Sequence, residues 1–266
     1  MFSRLEAWFD MLFSDPIGFI VYAAYLAVTV LISLILHECA HGYVAWRCGD
    51  PTARMMGRLS LDPRKHLDPI GTVCMLLLGF GWAKPVPVNP RNFRNIRRDD
   101  FLVSIAGIVT NFALFLICVA LSVGVNGIMF DREFLAEFGK TEALVSPYYT
   151  GGYSIMEGTA SDALIACMNV PALRYVQRFL MMMAQINLSL AIFNLLPIPP
   201  LDGYHLFNDI LFRGKLHIPA KVMQGISLAF MAVLIFTPYI SDALGFVRDF
   251  IQDGMIKGIL WIFGVQ

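Results

Sequence analysis

Four long apolar stretches constrain the fold of this chain more than any other feature of its sequence. Only 15% of the residues are charged and the mean hydropathy is +0.64, values typical of proteins embedded in lipid. A helix needs roughly 20 apolar residues to cross a bilayer core about 30 Å thick, and each stretch has close to that number or more. We therefore predict an all-α polytopic membrane protein with spans at about 17–46, 101–125, 175–198 and 220–241.

We predict about four to six membrane segments in total, because two of three further partly apolar segments could enter the membrane. The short apolar run Ile70–Trp82 follows Pro69 and contains several glycines, which favours a re-entrant or broken segment. Residues 1–15 have apolar side chains at helical spacing and predict an interfacial helix, although an ordinary packed terminal helix has the same pattern. Residues 244–264 combine an apolar face with charges and predict an interfacial or last helix.

The basic residues are distributed unevenly, and their distribution predicts the orientation in the membrane. Half of the 20 Lys and Arg residues lie between Arg47 and Arg98, so we expect this connection on the cytoplasmic side. The mainly acidic connection 126–171 is expected on the opposite side. It is too short for a separate domain and no internal repeat is evident, so we expect residues 1–266 to form a single membrane-embedded domain.

Two segments of the cytoplasmic connection have extended character. They are MMGRLSLDP at 55–63 and KPVPVNP at 84–90. We predict a small cytoplasmic-side β-hairpin or sheet, in which Pro85 and Pro87 suit an edge strand because proline cannot donate to a central ladder. An edge strand can also receive an extended peptide.

The sequence HECAH in the first span contains His37, Glu38 and His41 at HExxH spacing. On a helix this spacing brings both imidazoles to one face beside the glutamate, which is the zinc-binding pattern of metalloproteases. His37 precedes Trp46, a residue typical of membrane interfaces, by a distance of about 13 Å along the helix. The alternative is that neighbouring carbonyl groups satisfy both histidines, but burial of an unliganded cluster is costly.

A catalytic zinc site needs a third protein ligand, and Asp202 is the best candidate. The remaining histidines, His66, His205 and His217, lie in cytoplasmic or juxtamembrane segments. Asp202 belongs to NLLPIPPLDG, whose prolines prevent a regular helix, and non-helical backbone is tolerated at membrane depth where it lines a cavity. As an alternative, Asp202 caps a helix that begins near Gly203.

Three motifs together resemble the site-2 protease family of intramembrane zinc metalloproteases. They are HECAH, GFGWAKPVPVNP and NLLPIPPLDG, and they occur in the order found in that family, between about Ile17 and Lys221. Another family motif, AGPxxN, has Ile108 in place of its proline here and retains Gly107 and Asn111. The chain resembles a compact member without a PDZ or CBS domain, because its outer connection is short and the residues after Lys221 are largely apolar.

The resemblance implies a metal-dependent hydrolytic site. It implies that His37, His41 and Asp202 bind one Zn²⁺ per chain and that Glu38 activates a water molecule. The zinc would polarise the scissile carbonyl and lower the pKa of its bound water.

The resemblance also implies residues that contact a substrate. Asn194 is expected to line the active site and to donate to the oxyanion or hold substrate backbone, although a helix-packing amide is an alternative reading. Asn111 is a further candidate for the same role. Val86 and Val88, in the predicted edge strand, are candidates for pairing with an unwound substrate segment.

The implied function is cleavage of transmembrane segments by a multi-pass protein of a bacterial inner or plasma membrane. The implied substrates are single-pass or signal-peptide-like membrane proteins. A metal transporter is an alternative, but it would show several polar helices and often a two-fold repeat, and neither is evident. A non-catalytic metal-binding adaptor would keep the ligands without needing Glu38. A formal net charge of zero argues against nucleic acid as a partner, and the five cysteines, without CxxC spacing, argue against a cysteine zinc site.

Overall fold

The computed structural model describes residues 9–68, 71, 83–131, 134–135, 141–216 and 218–264. The predicted re-entrant segment Ile70–Trp82 lies outside the described residues except for residue 71, and so do residues 1–8 of the predicted N-terminal helix. Residues 9–14 are helical, with the side chains of Phe9 and Phe13 exposed. The helices of the described chain are α1 (Pro16–Cys48), α2 (Thr52–Met55), α3 (Ile96–Met129), α4 (Thr141–Val145), α5 (Thr150–Glu157), α6 (Asp162–Ala166), α7 (Leu173–Asn194), α8 (Asp202–Leu211), α9 (Ala220–Phe236) and α10 (Tyr239–Ile262).

Helix α1 has the start and end signals of a long uninterrupted helix. The Gly18 amide donates to the Asp15 carboxylate over 2.9 Å, and Pro16 occupies the first turn, where no amide hydrogen is required. Gly49 follows the last turn with a φ of +112°, a conformation that glycine adopts without steric cost. The helix therefore runs without a break through the HECAH sequence.

Three helices are long and apolar enough to cross a membrane, namely α1, α3 and α7. They confirm the first three predicted spans. A fourth span exists if α9 and α10 are counted as one broken span, since they are bent by 78°. The prediction of one continuous span at 220–241 was wrong at its end, because Thr237 adopts extended backbone before Pro238, which disfavours helix at the preceding residue.

The predicted β-hairpin was also wrong, since the described residues contain no strand. The segment 55–63 holds the end of α2 and a turn at Gly57, and the isolated bridge between Leu67 and Ala83 is the nearest feature to a hairpin.

Residues 84–90 are extended, but their amide groups donate to other parts of the chain rather than to a neighbouring strand. The Lys84 amide donates to the His66 carbonyl, while the Val86 and Asn89 amides donate to side-chain carboxylates. Because Pro85 and Pro87 have no amide hydrogen, few donors remain for a β-ladder.

The connection expected at 126–171 starts a few residues later than predicted, and its described part contains short helices. Helix α3 continues to Met129, and the short helices α4, α5 and α6 follow. Their apolar side chains pack with the end of α3 in one cluster, which includes Phe130, Ile155 and Met181.

The chain divides into two compact units. The first contains Leu31–Phe112 and Ser189–Gly245, and every candidate site residue lies within it. The second contains Ala113–Leu188 with residues 9–30 and 246–264, and it holds the cluster around Phe130.

Within the first unit, polar contacts hold α8 against the beginning of α3. The Arg97 guanidinium donates twice to the Asp209 backbone carbonyl, at 3.0 and 2.8 Å. His205 Nδ1 lies 3.4 Å from Asp100 Oδ2, and this partner raises the pKa of His205. Leu206 packs in a buried cluster with Ile108 of α3. These contacts fix the helix whose first residue is Asp202.

Burial and the negative charge of Asp100 raise the pKa of the Asp209 carboxyl to about 6, although Arg97 and His205 oppose the shift. The folded protein therefore retains a proton that the unfolded chain releases near pH 3.8. The contribution of Asp209 to stability is therefore greatest below its unfolded pKa of 3.8 and is lost as pH rises through its folded pKa of about 6.

We expect Asp209→Asn to stabilise the protein at about pH 7.5 and to change little at about pH 4, because the amide cannot ionise. Thermal unfolding in detergent at the two pH values measures this difference. An equal gain at both values would contradict the assignment of a raised pKa to Asp209.

Candidate metal centre

Helix α1 brings the two histidines of HECAH together. His37 and His41 are four residues apart on one face, and their Nε2 atoms lie 3.0 Å from each other. Both are buried, with exposed fractions of 5% and 8%. The helical spacing predicted from the sequence therefore produces the expected pair of imidazoles.

A backbone carbonyl of α3 sets the tautomer of His41. His41 Nδ1 lies 2.7 Å from the Val103 carbonyl oxygen. Because a carbonyl can only accept, Nδ1 carries the hydrogen and donates it. The lone pair of His41 is thus on Nε2, the atom that faces His37. A hydrogen bond from the other ring nitrogen to a backbone carbonyl is typical of metal-binding histidines.

Asp202 joins the histidines from the beginning of α8. Its Oδ2 atom lies 3.3 Å from His37 Nε2 and 3.2 Å from His41 Nε2. The N-cap residue of α8 is Leu201, and no side-chain capping bond is present there. The alternative role of Asp202 as an N-cap is therefore not what the structure shows.

A tight turn delivers Asp202 to this position. Residues 195–201 are not helical, as their prolines predict. A Cβ atom on Gly203 would lie 2.4 Å from the Leu196 carbonyl oxygen, so the turn closes only with glycine at this place. The proline-rich sequence and this glycine together form the turn.

The three donor atoms fit a tetrahedral zinc ion. With metal–ligand bonds of about 2.0–2.1 Å, such an ion separates its ligand atoms by about 3.3–3.4 Å, and the three measured separations are 3.0, 3.2 and 3.3 Å. Asp202 Oδ2 is buried and has no hydrogen-bond partner among the described residues. A buried carboxylate oxygen without a donor is costly unless a cation binds it. The group His37, His41 and Asp202 is the one in the described chain whose donors converge in this way.

Glu38 is held by a residue outside α1. Its Oε2 atom accepts the Val86 amide hydrogen over 2.7 Å. Val86 was predicted to pair with substrate, but in this structure its amide is engaged with the glutamate. The side chain of Val88 packs against the buried cluster that includes Ala45 and Cys48 of α1.

Gly107 has a role that the sequence did not disclose. A Cβ atom at this position would lie 2.4 Å from His37 Cε1 and 2.5 Å from His41 Nε2. The imidazoles therefore fit against α3 only because residue 107 lacks a side chain. Gly107 lies four residues from both Val103 and Asn111 on α3. This spacing predicts that the three residues share one face of the helix.

The two asparagines predicted near the substrate differ in their surroundings. Asn111 is fully buried, and neither amide atom of its side chain has a hydrogen-bond partner in the described chain. It lies one turn beyond Gly107, on the same face of α3. Asn194 is the last residue of α7 and is half-buried. Asn194 directly precedes the turn, residues 195–201, that delivers Asp202.

The chain matches the model of peptidase family M50 over residues 25–237. It is 38% identical over 241 residues to a Bacillus subtilis protein named "Putative zinc metalloprotease YwhC", covering 90% of this chain and 92% of that protein. It is 28% identical over 214 residues to "Putative zinc metalloprotease Rip2" of Mycobacterium tuberculosis, covering 78% of this chain and 65% of that protein. No solved structure matches.

We expect Gly107→Ala to lose bound zinc, because its methyl group would displace both imidazoles. Gly124→Ala is the matched control in the same helix, since a Cβ atom there meets nothing within 4 Å. Helix propensity by itself favours each of these Gly→Ala changes by about 1 kcal/mol. Zinc content of the purified proteins is the measurement, and full zinc occupancy in Gly107→Ala would show that the close approach is unimportant.

Proposed function

Because this chain belongs to peptidase family M50, the site-2 protease family, and is a zinc metalloprotease, we propose that it hydrolyses peptide bonds in or near transmembrane segments. The observation that carries the proposal is the position of the three donor atoms. Two of them belong to α1, a helix apolar enough to cross a membrane, and the third lies within 3.3 Å of both.

In this proposal His37, His41 and Asp202 hold one zinc ion, which when bound supplies a Lewis acid and a water of lowered pKa. With three protein ligands, a bound zinc would still have room for a water molecule, as a catalytic site requires. Val103 supports the proposal because it keeps the Nε2 atom of His41 available for a metal.

Glu38 has the role of general base. It is the one acidic residue of α1, and it directly follows His37. It takes a proton from the attacking water and passes it to the leaving nitrogen of the cleaved peptide bond. The Val86 amide holds one of its oxygen atoms in place meanwhile.

Asn111 is proposed to donate to the substrate. Its buried amide has no partner in the described chain and lies one helical turn from the glycine that contacts both imidazoles. An amide hydrogen aimed at the carbonyl oxygen of the cleaved bond would stabilise the negative charge that develops there. Asn194 is proposed to line the active site, since it ends α7 immediately before the turn that leads to Asp202.

The extended residues 84–90 are proposed to receive the unwound substrate. A helical peptide bond is shielded, so a substrate has to open before it can be cleaved. Since the Val86 amide is engaged with Glu38, pairing at Val86 and Val88 would use their carbonyl groups.

The proposed setting is a cell membrane, with this segment and the metal centre toward the cytoplasm. The concentration of basic residues between Arg47 and Arg98 supports that orientation. The substrates proposed are single-pass or signal-peptide-like membrane proteins, whose cleavage within the membrane would be a regulated step.

We expect Glu38→Gln to retain one zinc ion per chain and to lose at least about 100-fold of the cleavage rate, because the amide cannot accept the proton. The measurement is cleavage of a reporter transmembrane segment in detergent or vesicles, together with zinc content. Glu142→Gln, the same change in the other unit, serves as the control. Undiminished cleavage by Glu38→Gln would refute the general-base role, and a zinc-loaded parent protein that never cleaves would favour the metal-binding adaptor.

We expect Asn111→Ala to lower kcat/KM by about 100- to 1000-fold, because one donor to the oxyanion is lost. Asn126→Ala is the matched control, since Asn126 is an equally buried asparagine of α3 without a side-chain partner in the described chain, but belongs to the second unit. Equal losses in both variants would assign Asn111 to helix packing rather than to substrate.

A further inference from the structure

The proposed mechanism does not use Asp50, although this acidic residue is completely buried. It lies two residues beyond the end of α1, and four donors surround its carboxylate. Oδ1 accepts from the Thr52 amide at 3.1 Å, from the Thr52 hydroxyl at 2.5 Å and from Asn92 Nδ2 at 2.7 Å. Oδ2 accepts from the Asn89 amide at 2.7 Å. A buried carboxylate with this many donors holds its surroundings in one arrangement.

The electrostatics support an ionised Asp50. Burial raises the pKa of this carboxyl, but hydrogen bonds from Asn89, Thr52 and Asn92 outweigh burial and hold the pKa below its usual value. Asp50 is therefore a charged acceptor at neutral pH. Hydrogen bonds to a charged acceptor are roughly twice as strong as those between neutral groups.

Residues 84–92 contact α1 and its end at three places in register. The Val86 amide donates to Glu38, and the Val86 side chain packs against Gly42, where a Cβ atom would lie 2.9 Å from Val86 Cγ1. The Asn89 amide then donates to Asp50. Glu38 and Gly42 are one turn apart on α1, and Asp50 lies just beyond the end of that helix, so the three contacts follow one another toward the end of α1.

The chain between the outer two contacts has little freedom. Three residue steps separate Val86 from Asn89, a distance of at most about 11 Å even when fully extended. Val86 lies between two prolines, Pro85 and Pro87, and the ring of each fixes its own backbone angle φ. The position of Asn89 therefore determines where the Val86 amide can lie.

We propose that Asp50 is a positioning residue for the catalytic base. By binding Asn89 and Asn92, it sets the register in which the Val86 amide holds Glu38 in its catalytic orientation. This inference rests on the proposed function, because it assigns a role to Asp50 in the same hydrolytic site. It differs from a role in metal binding, since Asp50 contacts none of the three donors.

The first test compares Asp50→Asn with Asp62→Asn, which is the same change at another aspartate that accepts backbone hydrogen bonds. In Asp50→Asn an amide replaces one acceptor oxygen and faces a donor. We expect kcat to fall by about 10- to 100-fold, the size of effect expected when a catalytic group is displaced by about 1 Å, with KM changed less than about twofold. Zinc is expected to remain at one per chain. Unchanged kcat, or a loss confined to KM or to zinc content, would overturn the proposal.

The second test combines Asp50→Asn with Val86→Pro, which removes the amide hydrogen that contacts Glu38. If Asp50 acts through that amide, the double variant is no slower than Val86→Pro alone. Losses that multiply would show that Asp50 acts by another route and would overturn the proposal. Asn92→Ala, which removes a single donor and leaves the carboxylate, is expected to give a smaller loss of kcat and covers the case in which Asp50→Asn fails to fold.

Hydrogen exchange gives a readout that does not depend on cleavage. The amides of Val86 and Asn89 are expected to exchange faster in Asp50→Asn than in the parent protein, and to exchange at the parent rate in Asp62→Asn. Unchanged exchange at these amides would overturn the positioning role. Absence of cleavage by the parent protein would instead overturn the proposed function, so the two failures are distinguishable.

Discussion

The structure depends on compensating polar groups that lie within apolar helices. Two imidazoles and one carboxylate meet within 3.3 Å of each other, and none of the three belongs in an apolar interior alone. Their convergence requires an unbroken α1, a glycine on α3 and a tight turn before α8. Each of these is a local feature that serves the same centre. A single zinc ion explains why all three are present together, because it would satisfy the buried Asp202 oxygen, which has no hydrogen-bond partner among the described residues.

The extended residues 84–90 show how the same constraint shapes the protein outside the helices. Their amide groups donate to Glu38 and to Asp50 instead of to a neighbouring strand. The amides of this segment therefore bind carboxylates at and near α1, and Pro85, Pro87 and Pro90, which lack an amide hydrogen, leave few donors for a ladder. The glutamate is thereby held by a residue 48 positions away in sequence, which makes its orientation a property of the extended segment as well as of its own helix.

Sequence reasoning succeeded where a single helix or turn decides the outcome. The i, i+4 spacing places His37 beside His41 in any helix, and the prolines before Asp202 break α7 wherever it lies. It failed where the competing interactions are distant. The alternation of valine and proline suggested a strand, but whether the amides pair with a strand or with a carboxylate depends on what lies opposite. The continuous span expected at 220–241 failed for a local reason, since Pro238 ends α9.

The sequence by itself determined the membrane-spanning character, the pair of imidazoles with a glutamate between them, and the acidic third ligand that follows a broken helix. These follow from helical periodicity, apolar length and the backbone chemistry of proline, which act over a few residues. Only the tertiary structure decided that Gly107 gives the imidazoles their space, that Val103 orients His41, and that Val86 holds Glu38. Those contacts join residues about 50 to 70 positions apart, and no local preference specifies which distant backbone atom will come within hydrogen-bond reach of a side chain.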